Sequence, residues 1–190
     1  MTTTVLPHTP TDVSGQSWRL ERLLRRNAVA IQAVFATFWA VRFAVAAGPW
    51  EVPVLVAAVS LVAARRSFRN TRGLRARDEF RSARGRAFLR PVTQLSLWQV
   101  AGSVVLPVLA TATDRPELVA PSVALTIALF LVVFGRQLQL RVVSVVGAAA
   151  TVGCITLPVV AGGDTLLAGV AALMTTTLTT SLLLCARGTR

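Results

Sequence analysis

Residues 65–90 read RRSFRNTRGLRARDEFRSARGRAFLR. The stretch holds ten arginines (Arg65, Arg66, Arg69, Arg72, Arg75, Arg77, Arg81, Arg84, Arg86 and Arg90) against two acids, Asp78 and Glu79. Apolar sequence lies on both sides. A segment this basic stays on the cytoplasmic face of a bilayer, and its neighbours have the composition to cross one. It therefore orients every other segment.

The chain has 190 residues, 54% of them hydrophobic, with a mean hydropathy of +0.63 and only 15% charged. Average soluble chains carry roughly 25% charged residues. The net charge is +12, and every basic residue is Arg. Arg, Ala and Val enrichment without Lys is the codon signature of a GC-rich bacterial genome. The arginines flank apolar runs, so the positive-inside rule explains them and nucleic acid is not expected as a partner. Cys154 and Cys185 sit in apolar runs, and the single histidine is His8. Neither a disulfide framework nor a Cys/His metal site has the residues it needs. No cofactor is expected.

Working outward, the pattern predicts an all-α membrane bundle of six spans at about 28–47, 50–66, 91–113, 118–134, 142–161 and 165–186. Residues 1–17, rich in Thr, Pro and Ser, read as a disordered tail. Trp18–Asn27 forms an amphipathic turn or two: Leu20, Leu23 and Leu24 share a face, and the arginines are placed to meet headgroups. The first apolar run is too long for a signal peptide and contains Arg42. The second is the weakest span. Arg65 and Arg66 must snorkel for it to reach the required length, and Pro53 fits the first turn of a helix.

The charge map supports that second span. With the N-terminus inside, 18 of the 20 arginines fall on the cytoplasmic side; only Arg42 and Arg115 do not. Glu51, Asp114, Glu117 and Asp164 fall in the outer turns. Deleting the second span would place the ten-arginine loop opposite Arg19–Arg26, against the positive-inside bias. A short repeat relates Gly102–Ala110 (GSVVLPVLA) to Gly153–Ala161 (GCITLPVVA). It pairs helices three and four with five and six as two hairpins of one orientation.

Three groups of polar residues are candidates for function. Arg42 lies within a span, roughly 8 Å below its outer end. Intramembrane charges often face a cavity or a partner, and Glu51 and Asp164 are on the correct side to pair with it. Snorkelling to the outer headgroups is the simpler alternative. Ser96, Gln99 and Ser103 form a stripe on the third span, suited to helix packing or to a polar path. The basic loop 65–90 carries Ala76, Phe80, Ala83 and Ala87 on one helical face. It can lie on anionic inner-leaflet lipid or dock a partner. The threonine-rich sixth span has too much polar circumference to define a face. Gly163-Asp164 lacks the second intramembrane carboxylate that aspartyl protease chemistry needs.

From about Arg75 to Pro158 the chain resembles a set of uncharacterised six-helix bacterial integral membrane proteins. The residues that carry the resemblance are Arg84-Gly85-Arg86-Ala87-Phe88, Gln94, Gln99, Arg115-Pro116-Glu117-Leu118 and Pro121. In that set the fourth helix often ends in His-Phe-Leu-Pro-Leu; here residues 129–134 read LFLVVF. The resemblance implies six helices and no particular activity. The expected function is that of a non-enzymatic membrane subunit, scaffold or regulator in the bacterial cytoplasmic membrane, alone, as a homo-oligomer or beside another membrane protein. The alternative is a small transporter or channel using Arg42 and the polar stripe.

Overall fold

A computed structural model describes residues 11–74 and 76–187. The tail segment 1–10, Arg75 and Arg190 lie outside the described residues. The chain forms α1 (Thr11–Ala47), α2 (Glu51–Asn70), α3 (Ala76–Arg81), α4 (Ala83–Ala112), a 3-10 turn (Pro116–Leu118), α5 (Val119–Gln137), α6 (Arg141–Val160) and α7 (Gly163–Arg187). Strands are absent among the described residues. Among the described residues, five helical stretches are long and apolar enough to cross a membrane: Trp18–Ala47, Gly85–Ala112, Pro116–Gln137, Arg141–Val160 and Gly163–Arg187. This is an all-α membrane fold.

α2 falls outside that group because of charge. Any 18 consecutive residues of it contain three charges, drawn from Glu51, Arg65, Arg66 and Arg69. It nevertheless packs along α1 and reaches α7.

The helices have two common ends. Arg42 near the end of α1, the entry to α5 and the first turn of α7 meet at one. Leu24 of α1, Ala63 of α2, Phe134 of α5 and Leu182 of α7 cluster toward the other, with Phe88 of α4 against them. We call these the acidic and the arginine end, after the turns they carry.

The bundle has an apolar core and an extensive apolar exterior as well. Large apolar side chains face outward: Val54, Leu55, Leu61 and Val62 on α2, Leu97, Trp98, Val104 and Val105 on α4, Val152, Ile155 and Val159 on α6. Small and polar ones face inward, as with Ser60, Ala63 and Ser67 on α2 or Gly147, Ala150 and Cys154 on α6. Such extensive exposed apolar surface is a membrane interface, and small inward residues let helix backbones approach. At Gly147 a Cβ would stand 2.8 Å from Val132 N and 3.0 Å from Ala128 O, so α5 and α6 touch backbone to backbone. Ser144 Oγ donates across the same seam to Val132 O at 3.0 Å.

Two expectations change. Thr11–Ser17 belong to α1, not to a disordered tail. The shared face of Leu20, Leu23 and Leu24 is buried against protein. The segment 65–90 is mostly helical. α2 continues through Arg65, Arg66 and Arg69, since Arg and Ala sustain a helix. α3 and α4 are separate: Ser82 caps α4 by accepting the Gly85 N–H at 2.9 Å. The continuous face from Ala76 to Ala87 is therefore broken at Ser82. α4 also starts well before Pro91, which lies inside the helix with Pro107.

Candidate functional site

The acidic end contains a half-open pocket of ≈ 580 Å³. Each wall follows from a helix terminus. α1 stops at Gly48, whose φ of +97° suits a residue without Cβ; its N–H donates to Ala44 O at 2.8 Å. Arg42 projects from the last turns before that stop. α4 closes through Thr113 N–H to Leu109 O at 3.0 Å and Arg115 N–H to Ala110 O at 2.9 Å. Pro116 then opens the 3-10 turn, placing Glu117 on the pocket wall. Gly163 starts α7 and brings Asp164 to the pocket lining. Apolar lining comes from Phe38, Val119, Val123 and Leu167.

The pocket thus brings Arg42 and Asp164 together, and adds Glu117. All three are exposed, and Arg42 makes no ion pair or hydrogen bond among the described residues. Glu51 opens α2 and does not line the pocket. Trp39 forms part of the wall one turn below Arg42. It is 2% exposed, and its indole N–H is buried without an acceptor. Glu117 and Trp39 were not selected from the sequence as site residues. Trp39 gave no signal in an apolar run, whereas Glu117 was visible as an acid in an outer turn.

Comparison with protein-family models, curated proteins and solved structures finds no match. The site must be read from its own chemistry.

The stripe on α4 does not act as a unit. Ser103 and Thr126 of α5 share a 2.8 Å hydroxyl hydrogen bond, beside the close approach of Gly102 to the Thr126 methyl. Ser96 donates to Val92 O of its own helix at 2.9 Å. Gln99 makes no hydrogen bond among the described residues. Few residues of the apolar stretch of α4 are fully buried, but Ser96, Gln99 and Ser103 are each half-buried while Leu97, Trp98, Val104 and Val105 face outward. Thr175 and Thr176 of α7 bond back to Ala171 O and Ala172 O.

The arginine end is a packed array. Arg22 stacks on Trp18 at 4.1 Å and Arg26 on Phe68 at 5.0 Å. Arg25 pairs with Glu21 and reaches Leu138 O at 3.5 Å. Arg19 pairs loosely with Glu79 at 3.8 Å. Of the segment 65–90, Arg65, Arg66, Arg69, Arg72, Arg81, Arg86 and Arg90 are exposed. This end can hold anions by charge and by planar donor geometry.

Proposed function

We propose that the chain is a six-span protein of the bacterial cytoplasmic membrane, with both termini inside, acting as a non-enzymatic subunit, scaffold or regulator. The sixth span is α2. Its length of 20 residues is sufficient for a hydrocarbon core of about 30 Å. Its inward face runs through Pro53, Val56, Ser60, Ala63 and Ser67 and its outward face is Val54, Leu55, Leu61 and Val62, which is the pattern of a helix standing in lipid. Arg65, Arg66 and Arg69 then lie where side chains snorkel to the inner headgroups.

The observation that favours a scaffold over a conduit is the filled centre. Ala36, Ala124, Ile127, Leu131, Val170 and Met174 are all nearly inaccessible and belong to one apolar cluster below the pocket. The stripe that a transporter would use is diverted into helix packing at Ser103. Transport through Arg42 remains the second reading, because the pocket does admit solvent to Arg42. On the cytoplasmic side the exposed arginines are suited to anionic inner-leaflet lipid, at about 1 kcal/mol per residue near the surface.

Single cysteines at Arg72, Thr113, Gln139 and Gly162, in a background with Cys154→Ala and Cys185→Ala, test the arrangement. Labelling of intact cells with an impermeant maleimide is expected at Thr113→Cys and Gly162→Cys alone. Labelling of Arg72→Cys would remove the six-span reading. Solute or ion flux through reconstituted vesicles that is lost in Arg42→Ala would favour the transport reading.

A further inference from the structure

The pocket at the acidic end combines features that a snorkelling arginine alone does not require. Arg42 lines one cavity with two acids, Glu117 and Asp164, and no ion pair forms among the three. The first turns of α5 and α7 open nearby, adding the partial positive charge of helix N-termini. Trp39 in the wall holds a buried indole N–H with no acceptor. Phe38, Val119, Val123 and Leu167 make the remaining wall apolar.

We propose that this pocket binds the headgroup of a zwitterionic phospholipid bearing a primary ammonium. The phosphate sits against Arg42, where a charge-assisted hydrogen bond replaces headgroup water. The ammonium, with three N–H donors, lies between Glu117 and Asp164. The acyl chains leave along the apolar wall. This wall argues for a lipid over a free soluble zwitterion. An anionic headgroup satisfies Arg42 but meets two carboxylates, and a quaternary ammonium offers them no N–H donor. The inference rests on the six-span reading only for placing the pocket at the outer bilayer surface.

The test is binding to the full-length protein in detergent micelles, which does not depend on topology. Short-chain phosphatidylethanolamine, phosphatidylglycerol and phosphatidylcholine are titrated and bound lipid is read by native mass spectrometry. The ethanolamine lipid is expected to bind about tenfold more tightly than either other lipid. Combining Glu117→Gln with Asp164→Asn is expected to abolish that preference while leaving phosphatidylglycerol binding equal or stronger. Arg42→Ala is expected to weaken both phosphatidylethanolamine and phosphatidylglycerol, and Arg42→Lys to restore a substantial part. Thermal unfolding identifies any variant that fails to fold; the Arg42→Lys and carboxylate variants then decide. Equal binding of the three lipids, or a preference untouched by the carboxylate substitutions, overturns the proposal. Free O-phosphoethanolamine binding as tightly as the lipid overturns the assignment to a lipid.

Discussion

Gln32 of the first helix donates a 2.9 Å hydrogen bond to Ser181 of the last, with both side chains buried. The two residues lie on the most extensive helix pair in the bundle, α1 against α7. Gln32 Oε1 has no partner, so the amide is only half satisfied. Ser181→Ala leaves the whole amide without a protein partner and is expected to destabilise the bundle by about 1–2 kcal/mol. Gln32→Leu combined with Ser181→Ala is expected to recover most of that loss, because both polar groups are then gone. Unfolding in detergent with increasing denaturant measures both. Additive losses would show that the bond does not couple the helices.

Gly147 predicts a steric limit. Its Cβ position faces backbone atoms of α5, which cannot move aside as a side chain does. Gly147→Ala is expected to cost about 1–3 kcal/mol despite the better helix propensity of Ala. Gly162→Ala is the control, since nothing stands within 4 Å of its Cβ position. Its stability should stay within about 0.5 kcal/mol of the parent. The same detergent unfolding distinguishes them.

The tryptophans predict an optical contrast. Trp39 is 2% exposed and Trp98 is 77% exposed. In vesicles of brominated lipid, a variant keeping only Trp98 should be strongly quenched and one keeping only Trp39 weakly. Trp39→Ala is expected to cost about 3–5 kcal/mol and Trp98→Ala far less. Comparable quenching would mean that α4 is covered by something other than lipid.

α2 supplies a test of its environment. Leu61 is mid-helix and exposed. In a spanning helix, Leu61→Arg is expected to cost about 2.5–3.5 kcal/mol of insertion free energy. On a helix lying in water the same change would be near neutral. The fraction of chains with residues 71–74 on the expected side, read by protease protection of vesicles, reports which holds.

The spans were legible because hydropathy and turn chemistry are local properties: Gly48-Pro49, Asp114 to Pro116 and Gly162-Gly163 mark breaks that the helices respect. The second helix was legible as a helix, while Glu51, Arg65, Arg66 and Arg69 set it apart from the five more apolar ones. The extent of helix in 65–90 was misread because an arginine run signals topology, not coil. It breaks at the turn after Asn70, where Gly73 has a φ of +91°, and again at Ser82, which carries an ordinary cap. Arg42 and Asp164 meeting in one pocket followed from their common side. The exclusion of Glu51 did not follow, since it depends on how far α2 is rotated about its axis. The dispersal of the stripe on α4 depends likewise on packing, because Ser103 finds Thr126 while Ser96 and Gln99 do not.

The pairing of α1 with α7 also sets an order of assembly. Gln32 enters the membrane early, and Ser181 follows 149 residues later. At roughly 5–20 residues per second, ribosomal synthesis separates the two by roughly 7–30 s. During that interval the inward face of the first helix has no last helix to close on, and its amide must be sheltered by the insertion machinery or by earlier neighbours. A ribosome that stalls before residue 163 therefore leaves an open bundle with a polar seam in lipid. Such an intermediate is a substrate for membrane quality control rather than a shorter working protein.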